Sequence, residues 1–184
     1  MTDGDAPRVA PATVDDIDPI TDLWVALAAG QRRYGSTLLA EENRATVRDW
    51  VARSVVTGEL LVARPRGEAD EDDPGGAETD RGDAEPIGFV GFELDHGDYE
   101  RDRTRGTVSN LFVVPEHRGE GVGSALLDAA EAALREAGAE TVALEALAGN
   151  ERARAFYAER GYDRHRVELT KSVSPSTDDG DGIE

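Results

Sequence analysis

The chain has 184 residues and carries 39 acidic against 20 basic side chains, a formal net charge of −19. The length suits one domain, and the charge excludes a general nucleic-acid binder, since no basic stripe exists to displace counterions from phosphates. The lack of cysteine excludes disulfides, thiolate metal sites and a cysteine nucleophile.

In chain order, Arg8 to Thr13 reads as a short edge strand, because Pro11 is tolerated only at an edge or bulge. Thr13 stands as an N-cap before Ile17, Ile20, Leu23, Trp24 and Leu27, which recur at helical spacing, and Gly30 is the expected stop. Glu41 to Thr57 reads as a second helix, with Val47, Trp50, Val51 and Val55 on one stripe and Gly58 closing it. Leu60 to Arg64 and Ile87 to Leu94 read as strands, the latter weakened or bulged at Gly88 and Gly91. Between them, residues 66–85 hold nine acids and four glycines with no large apolar side chain, which predicts a disordered hairpin insertion. Thr107 to Val114 is an apolar strand ended by Pro115. Gly121 to Ala137 is a helix with Gly138 as its C-cap and a Glu131–Arg135 pair on its surface. Thr141 to Leu147 is a buried strand, Asn150 caps a helix running to Arg160, and Tyr162 to Lys171 is a final strand. This is an α/β domain with a mixed sheet over residues 1–171, followed by an acidic tail at 172–184 that reads as disordered.

Leu, Ile, Val and Phe make up about a fifth of the chain, near the compositional edge of disorder at this charge, but their periodic order favours a folded domain. Lys171 is the only lysine, so 19 of the 20 cations are arginine. That balance resembles proteins of salt-accumulating halophiles, where a Debye length of about 3 Å at 1 M salt screens such self-repulsion. The start of the chain is acidic without an apolar run, and no stretch is long and apolar enough to span a bilayer, so a cytoplasmic location is expected.

Val113-Val-Pro-Glu-His-Arg-Gly-Glu-Gly-Val-Gly-Ser-Ala-Leu-Leu127 carries the clearest chemistry. A strand ends, a glycine-rich turn follows, and a helix begins. Gly119, Gly121 and Gly123 allow close backbone approach, the first helical N–H groups form an anion site, and Arg118 suits bidentate phosphate contact. A phosphate-bearing ligand follows. It is neither a P-loop, which needs a lysine, nor a dinucleotide fingerprint, whose last glycine is replaced by Ser124 or Leu126 depending on the register.

Arg118-x-x-Gly121-x-Gly123 after a strand ending Val-x-Pro resembles the acetyl-CoA motif of the GCN5-related N-acetyltransferases (GNAT). Asn150-x-x-Ala153-x-x-Phe156-Tyr157-x-x-x-Gly161-Tyr162 resembles the next block of that family, and the resemblance covers roughly Arg8 to Lys171. It implies the GNAT fold, a mixed and mostly antiparallel sheet flanked by helices in the order β-α-α-β-β-β-α-β-α-β. It also implies acetyl-CoA as acyl donor and direct attack of a primary amine. By resemblance, backbone groups of Leu111, Phe112 and Val113 hold the acetyl-pantetheine arm, with the Val113 N–H polarising the thioester carbonyl. Arg118, Gly119, Glu120, Gly121, Val122, Gly123 and Ser124 cradle the pyrophosphate, Asn150 contacts the pantetheine, and Tyr157 protonates the departing thiolate. Asn150 also reads as a plain helix cap and Tyr157 as a core aromatic.

Some members of that family carry a carboxylate on the strand before the loop, where Ser109-Asn110-Leu111 holds no acid, and others place the base on the next strand; by that resemblance Glu145 is the expected general base, with Glu93 and Asp95 as alternatives. A solvated Glu145 at a strand end is the competing reading. His117 is given no role, and His96 and His165 show no metal spacing. By the same resemblance, acceptor recognition falls to the region between the first two helices, here Gln31 to Ser36 with Trp24; Arg32 and Arg33 are compatible with a carboxylate-bearing substrate, and the competing reading is that these are ordinary surface residues. The alternatives to catalysis of small amines are a non-catalytic acetyl-CoA-binding module and a protein N-terminal or lysine acetylase; a homodimer is compatible with all three.

Overall fold

The structure, a computed structural model, describes residues 7–65, 84–95 and 101–173. All but the last two residues of the acidic insertion expected at 66–85, and all but Ser172 and Val173 of the expected tail, lie outside the described residues. The chain forms two compact units, Met1–Asn150 and Glu151–Glu184.

The first unit holds strands β1 (Arg8–Pro11), β2 (Leu60–Arg64), β3 (Gly88–Leu94), β4 (Arg105–Val113) and β5 (Thr141–Leu144), with helices α1 (Ile17–Gln31), α2 (Arg44–Thr57) and α3 (Val122–Glu136). The five strands lie in sequence order in one sheet. β1 to β4 pair antiparallel, and β5 joins β4 in parallel. The expected mixed, mostly antiparallel sheet with flanking helices is what forms. Gly88 and Phe89 point to opposite faces, as successive strand residues must. On the Phe89 side, Ile20, Trp24 and Ala28 of α1 and Val47 and Val51 of α2 pack against Leu60, Val62 and Phe112. On the Gly88 side, α3 lies so close that a Cβ on Gly88 would sit 3.1 Å from Leu126 Cδ1, and one on Gly106 would sit 2.7 Å from Leu134 Cδ2. Trp24 is 8% exposed inside the first of these layers, so it is a core residue and not the expected recognition residue.

Local chemistry explains most element ends. The Thr13 N–H and hydroxyl both donate to the Asp16 carboxylate, at 2.8 and 3.0 Å, which holds a 3₁₀ turn over Val14–Asp16 that leads into α1. Asp16 is itself buried and pairs with Arg64 at the end of β2. α1 does not stop at Gly30. It runs to Gln31, continues as a 3₁₀ turn over Arg32–Tyr34, and ends at Gly35, whose φ of +92° supplies the left-handed residue that a helix C-terminus needs. Residues Glu41–Asn43 are likewise 3₁₀ before α2 begins at Arg44.

Two expected strands change. β5 ends at Leu144 instead of Leu147, for a reason that lies in β4. The β3–β4 register shifts at Gly91/Phe92, pairing Gly91 with Asn110 and Phe92 with Val108, so Ser109 bulges out and β4 bends away after its last pair with β5, Val108 with Leu144. The strand expected over Tyr162–Lys171 is not formed, and the observed order ends with α4 (Glu151–Ala158) in the second unit. Val167 and Leu169 stand 76% and 90% exposed there. Two large apolar side chains among Asp163, Arg164, Arg166 and Glu168 bury too little area to offset the entropy of ordering that segment.

Candidate active site

The parting of β4 from β5 creates the site's first element. Val114 donates its N–H to the Ile87 carbonyl at 3.0 Å. In an antiparallel ladder, alternate residues turn both backbone groups to the same side. The backbone groups of Val114 and Phe112 therefore face β3, and those of Val113 and Leu111 face the flank that β5 has left. Of the expected arm-holding residues, Leu111 turns its N–H and C=O outward and Val113 its N–H, its carbonyl being bonded within the chain, while Phe112 contributes a buried ring to the core.

The second element continues from it. After a 3₁₀ turn over Pro115–His117, Gly119 and Gly121 take φ of +93° and +87°, and a Cβ on either would meet nothing within 4 Å. Gly121 caps α3 without a side chain, and the first intrahelical bond runs from Ala125 N–H to the Gly121 carbonyl at 3.0 Å. The N–H groups of Val122, Gly123 and Ser124 precede that bond, at the positive end of a 15-residue helix. Backbone N–H groups at a helix N-terminus beside open space are an arrangement able to cradle an anion. Glu120 belongs to the cradle by its backbone, since its carboxylate lies 2.9 Å from His117 Nδ1 on the surface. Arg118 does something unforeseen. Its Nε–H donates to the Val113 carbonyl at 2.9 Å, and its guanidinium carbon stands 5.6 Å from the centre of the Phe112 ring. It ties the cradle to the splayed end of β4.

The remaining candidates in this unit are more dispersed. Glu145 is exposed, one residue beyond β5, so it does not lie within the strand as expected. Asp95 forms an ion pair with Arg101 at 3.2 Å, and Glu93 is exposed on β3. Asn150 donates its N–H to the Leu147 carbonyl at 2.9 Å at the end of the loop leading from β5. That loop passes close to the connection between α1 and α2, since a Cβ on Gly149 would be 3.3 Å from the Tyr34 carbonyl. The expected acceptor segment Gln31–Ser36 and the expected pantetheine contact are thus neighbours. Arg33 stacks over Tyr34 at 4.7 Å.

In the second unit, Tyr157 lies on α4 between two rings. Phe156 is 5.3 Å away and Tyr162 5.8 Å away, both edge-on, and Gly161 with φ +83° turns the chain so that the Tyr162 N–H reaches the Tyr157 carbonyl. Arg160 lies over Phe156, 3.9 Å from its ring centre. Burial pushes the Tyr157 phenol above its ordinary value, so it stays protonated through neutral pH. Among the described residues, no group of three or more His, Asp or Glu is arranged to hold a metal ion, and no helix is long and apolar enough to cross a membrane.

Known proteins resemble this chain in sequence and in fold. The chain is 39% identical over 100 residues to a mycothiol acetyltransferase of Propionibacterium freudenreichii, a match covering 54% of this chain and 31% of that protein. It is 33% identical over 79 residues to N-alpha-acetyltransferase 30 of Schizosaccharomyces pombe, covering 42% of this chain and 53% of that one. The matched stretches thus span from about a third to about half the length of these relatives. A crystal structure of a GCN5-related N-acetyltransferase from Ralstonia eutropha superposes with a TM-score of 0.64 at 24% identity, over 91% of this chain and 99% of that one, which shows the shared fold. The profile of the acetyltransferase (GNAT) family matches residues 46–162, well over half of the sequence, and includes β4, the cradle, Asn150 and Tyr157. On that match the chain belongs to the GNAT acetyltransferase family.

Proposed function

We propose that this protein is an N-acetyltransferase that uses acetyl-CoA and acetylates a primary amine by direct attack. One observation carries the reading: the outward backbone groups of Leu111 and Val113 lead, on one continuous segment, to the open cradle at the start of α3. When bound, acetyl-CoA supplies a thioester carbonyl for the amine to attack and a thiol to leave. The Leu111 and Val113 N–H groups, two residues apart, polarise that carbonyl and fix the pantetheine amides. Arg118, Gly119, Glu120, Gly121, Val122, Gly123 and Ser124 hold the pyrophosphate, chiefly by backbone N–H groups. Asn150 contacts the pantetheine, and Tyr157, kept neutral by burial, gives its proton to the leaving sulfur. Glu145, exposed to water, takes the amine's proton directly or through a water molecule. The family match runs through both compact units, which supports reading residues 1–171 as one functional domain.

The likeness to N-alpha-acetyltransferase 30 favours a second reading, in which the acceptor is a protein N-terminus. The net charge of −19 supports a salt-rich cytoplasm as the setting. Thiol release from acetyl-CoA in molar KCl, against small amines, amino acids and peptides, tests the proposal, and a chain without cysteine adds no background thiol. Release with an amine, lowered about a hundredfold in Tyr157→Phe, is the expected result. A rise in melting temperature with acetyl-CoA but silence across the panel would leave a binding module instead.

A further inference from the structure

A cleft of about 330 Å³ opens beside the C-terminal half of α2, bounded by Trp50, Arg53, Glu59, Phe92, Glu93 and Ser109. Its size falls at the lower end of small-molecule sites, about 300–1,000 Å³. Resting on the transferase reading above, we infer that this cleft holds the body of the acceptor and selects amines that carry a second positive charge.

Position is the first argument. Ser109 is the bulged residue at which β4 parts from β5, two residues before Leu111. Two strand residues span about 6–7 Å, so an acceptor lying in the cleft has one end at the flank where the thioester carbonyl is polarised. Charge is the second. Glu59 and Glu93 face only Arg53 among the cleft's charged groups, which leaves a net single negative charge. Glu59 is half-buried, and its carboxylate accepts a hydrogen bond from the Thr57 hydroxyl at 2.5 Å.

The third argument is the aromatic wall. A Cβ on Gly91 would lie 2.9 Å from Trp50 Cζ2 and 2.9 Å from the Ser109 Oγ, so the indole is pressed against the sheet and fixed in place. A fixed indole beside carboxylates attracts an ammonium group twice, through the ring quadrupole and through charge. Attack requires one nitrogen of the acceptor to be neutral, while the distal nitrogen remains an ammonium held in the cleft. An acceptor with a distal carboxylate would meet like charges there.

The test compares three acceptors of one length: a five-carbon terminal diamine, pentylamine, and the five-carbon ω-amino acid. Thiol release from acetyl-CoA is followed with the full chain, at the lowest KCl concentration that keeps it folded, and with a Glu59→Gln/Glu93→Gln variant. The expected order in kcat/KM is diamine, then pentylamine, then amino acid, with the diamine favoured about tenfold through KM. The double variant is expected to bring the ratio of diamine to pentylamine close to one while acetyl-CoA still raises its melting temperature. A ratio near one in the unaltered chain, a ratio unmoved in the variant, or a preference for the amino acid would each overturn the inference. Calorimetric titration of the CoA-loaded protein separates the two proposals. Tighter binding of the diamine without thiol release would sink acetyl transfer and keep the cleft's selectivity, whereas equal binding of all three would sink the selectivity alone.

Discussion

The Arg118 Nε–H donates to the Val113 carbonyl at 2.9 Å, joining the glycine-rich cradle to the strand end that turns its backbone toward the vacated flank. One side chain thereby sets the distance between the two parts of the proposed donor site. Lysine offers a charge but no second N–H edge. Arg118→Lys is therefore expected to weaken acetyl-CoA binding nearly as much as Arg118→Ala, about tenfold by calorimetric titration. Full affinity in the lysine variant would show that charge alone matters at this position.

Glycines in this chain separate by backbone conformation. Gly121 has φ +87° and caps α3, while Gly30 lies inside α1, outside the positive-φ region, with nothing within 4 Å of a Cβ. Gly121→Ala is expected to destabilise by about 1–2 kcal/mol, because an L side chain is strained there. Gly30→Ala is expected to stabilise by about 0.5–1 kcal/mol by reducing the freedom of the unfolded chain. Urea unfolding of the two variants, read as midpoint shifts of opposite sign, checks both.

The buried pair between Asp16 and Arg64 ties the start of α1 to the end of β2, and Asp16 also receives both Thr13 donors. With side chains 3% and 11% exposed, neither group has enough water to replace a lost partner. Asp16→Ala should cost about 3–5 kcal/mol, and an Asp16→Ala/Arg64→Met variant should cost less than the sum of its single changes. Additive losses in urea unfolding would mean that the pair is not coupled.

Tyr157 gives the stability a pH dependence of definite sign. Burial raises its phenol pKa in the folded state, so the neutral form is the one folding favours. Its contribution is complete below the unfolded value of about 10 and is lost as pH rises through the higher folded value. The melting temperature is therefore expected to fall more steeply above pH 10 in the unaltered chain than in Tyr157→Phe. Identical slopes would remove burial of the phenol as the cause.

Much of this protein is written locally, wherever one interaction decides the outcome. Gly58 and Gly138 end their helices with left-handed backbone, at φ +75° and +94°, because no distant contact competes with that geometry. The cradle is local too, since Gly119, Gly121 and the start of α3 lie within a few residues of one another. Gly30 permits a helix stop without requiring one, and Gly35 supplies it five residues later. Glycine pattern alone does not rank the two.

Pairing across the sheet was decided elsewhere. The bulge at Ser109, the end of β5 at Leu144 and the outward turn of Leu111 and Val113 depend on register between β3, β4 and β5, which a single strand's pattern does not contain. The same holds for Trp24, whose burial depends on α2 and the sheet closing over it, and for Tyr162 to Lys171, which pairs with no strand among the described residues. Arg118 shows the division within one residue. Its place in the motif was legible from six residues of sequence, but its bond to Val113 exists only because the turn folds the chain back on the strand it has just left.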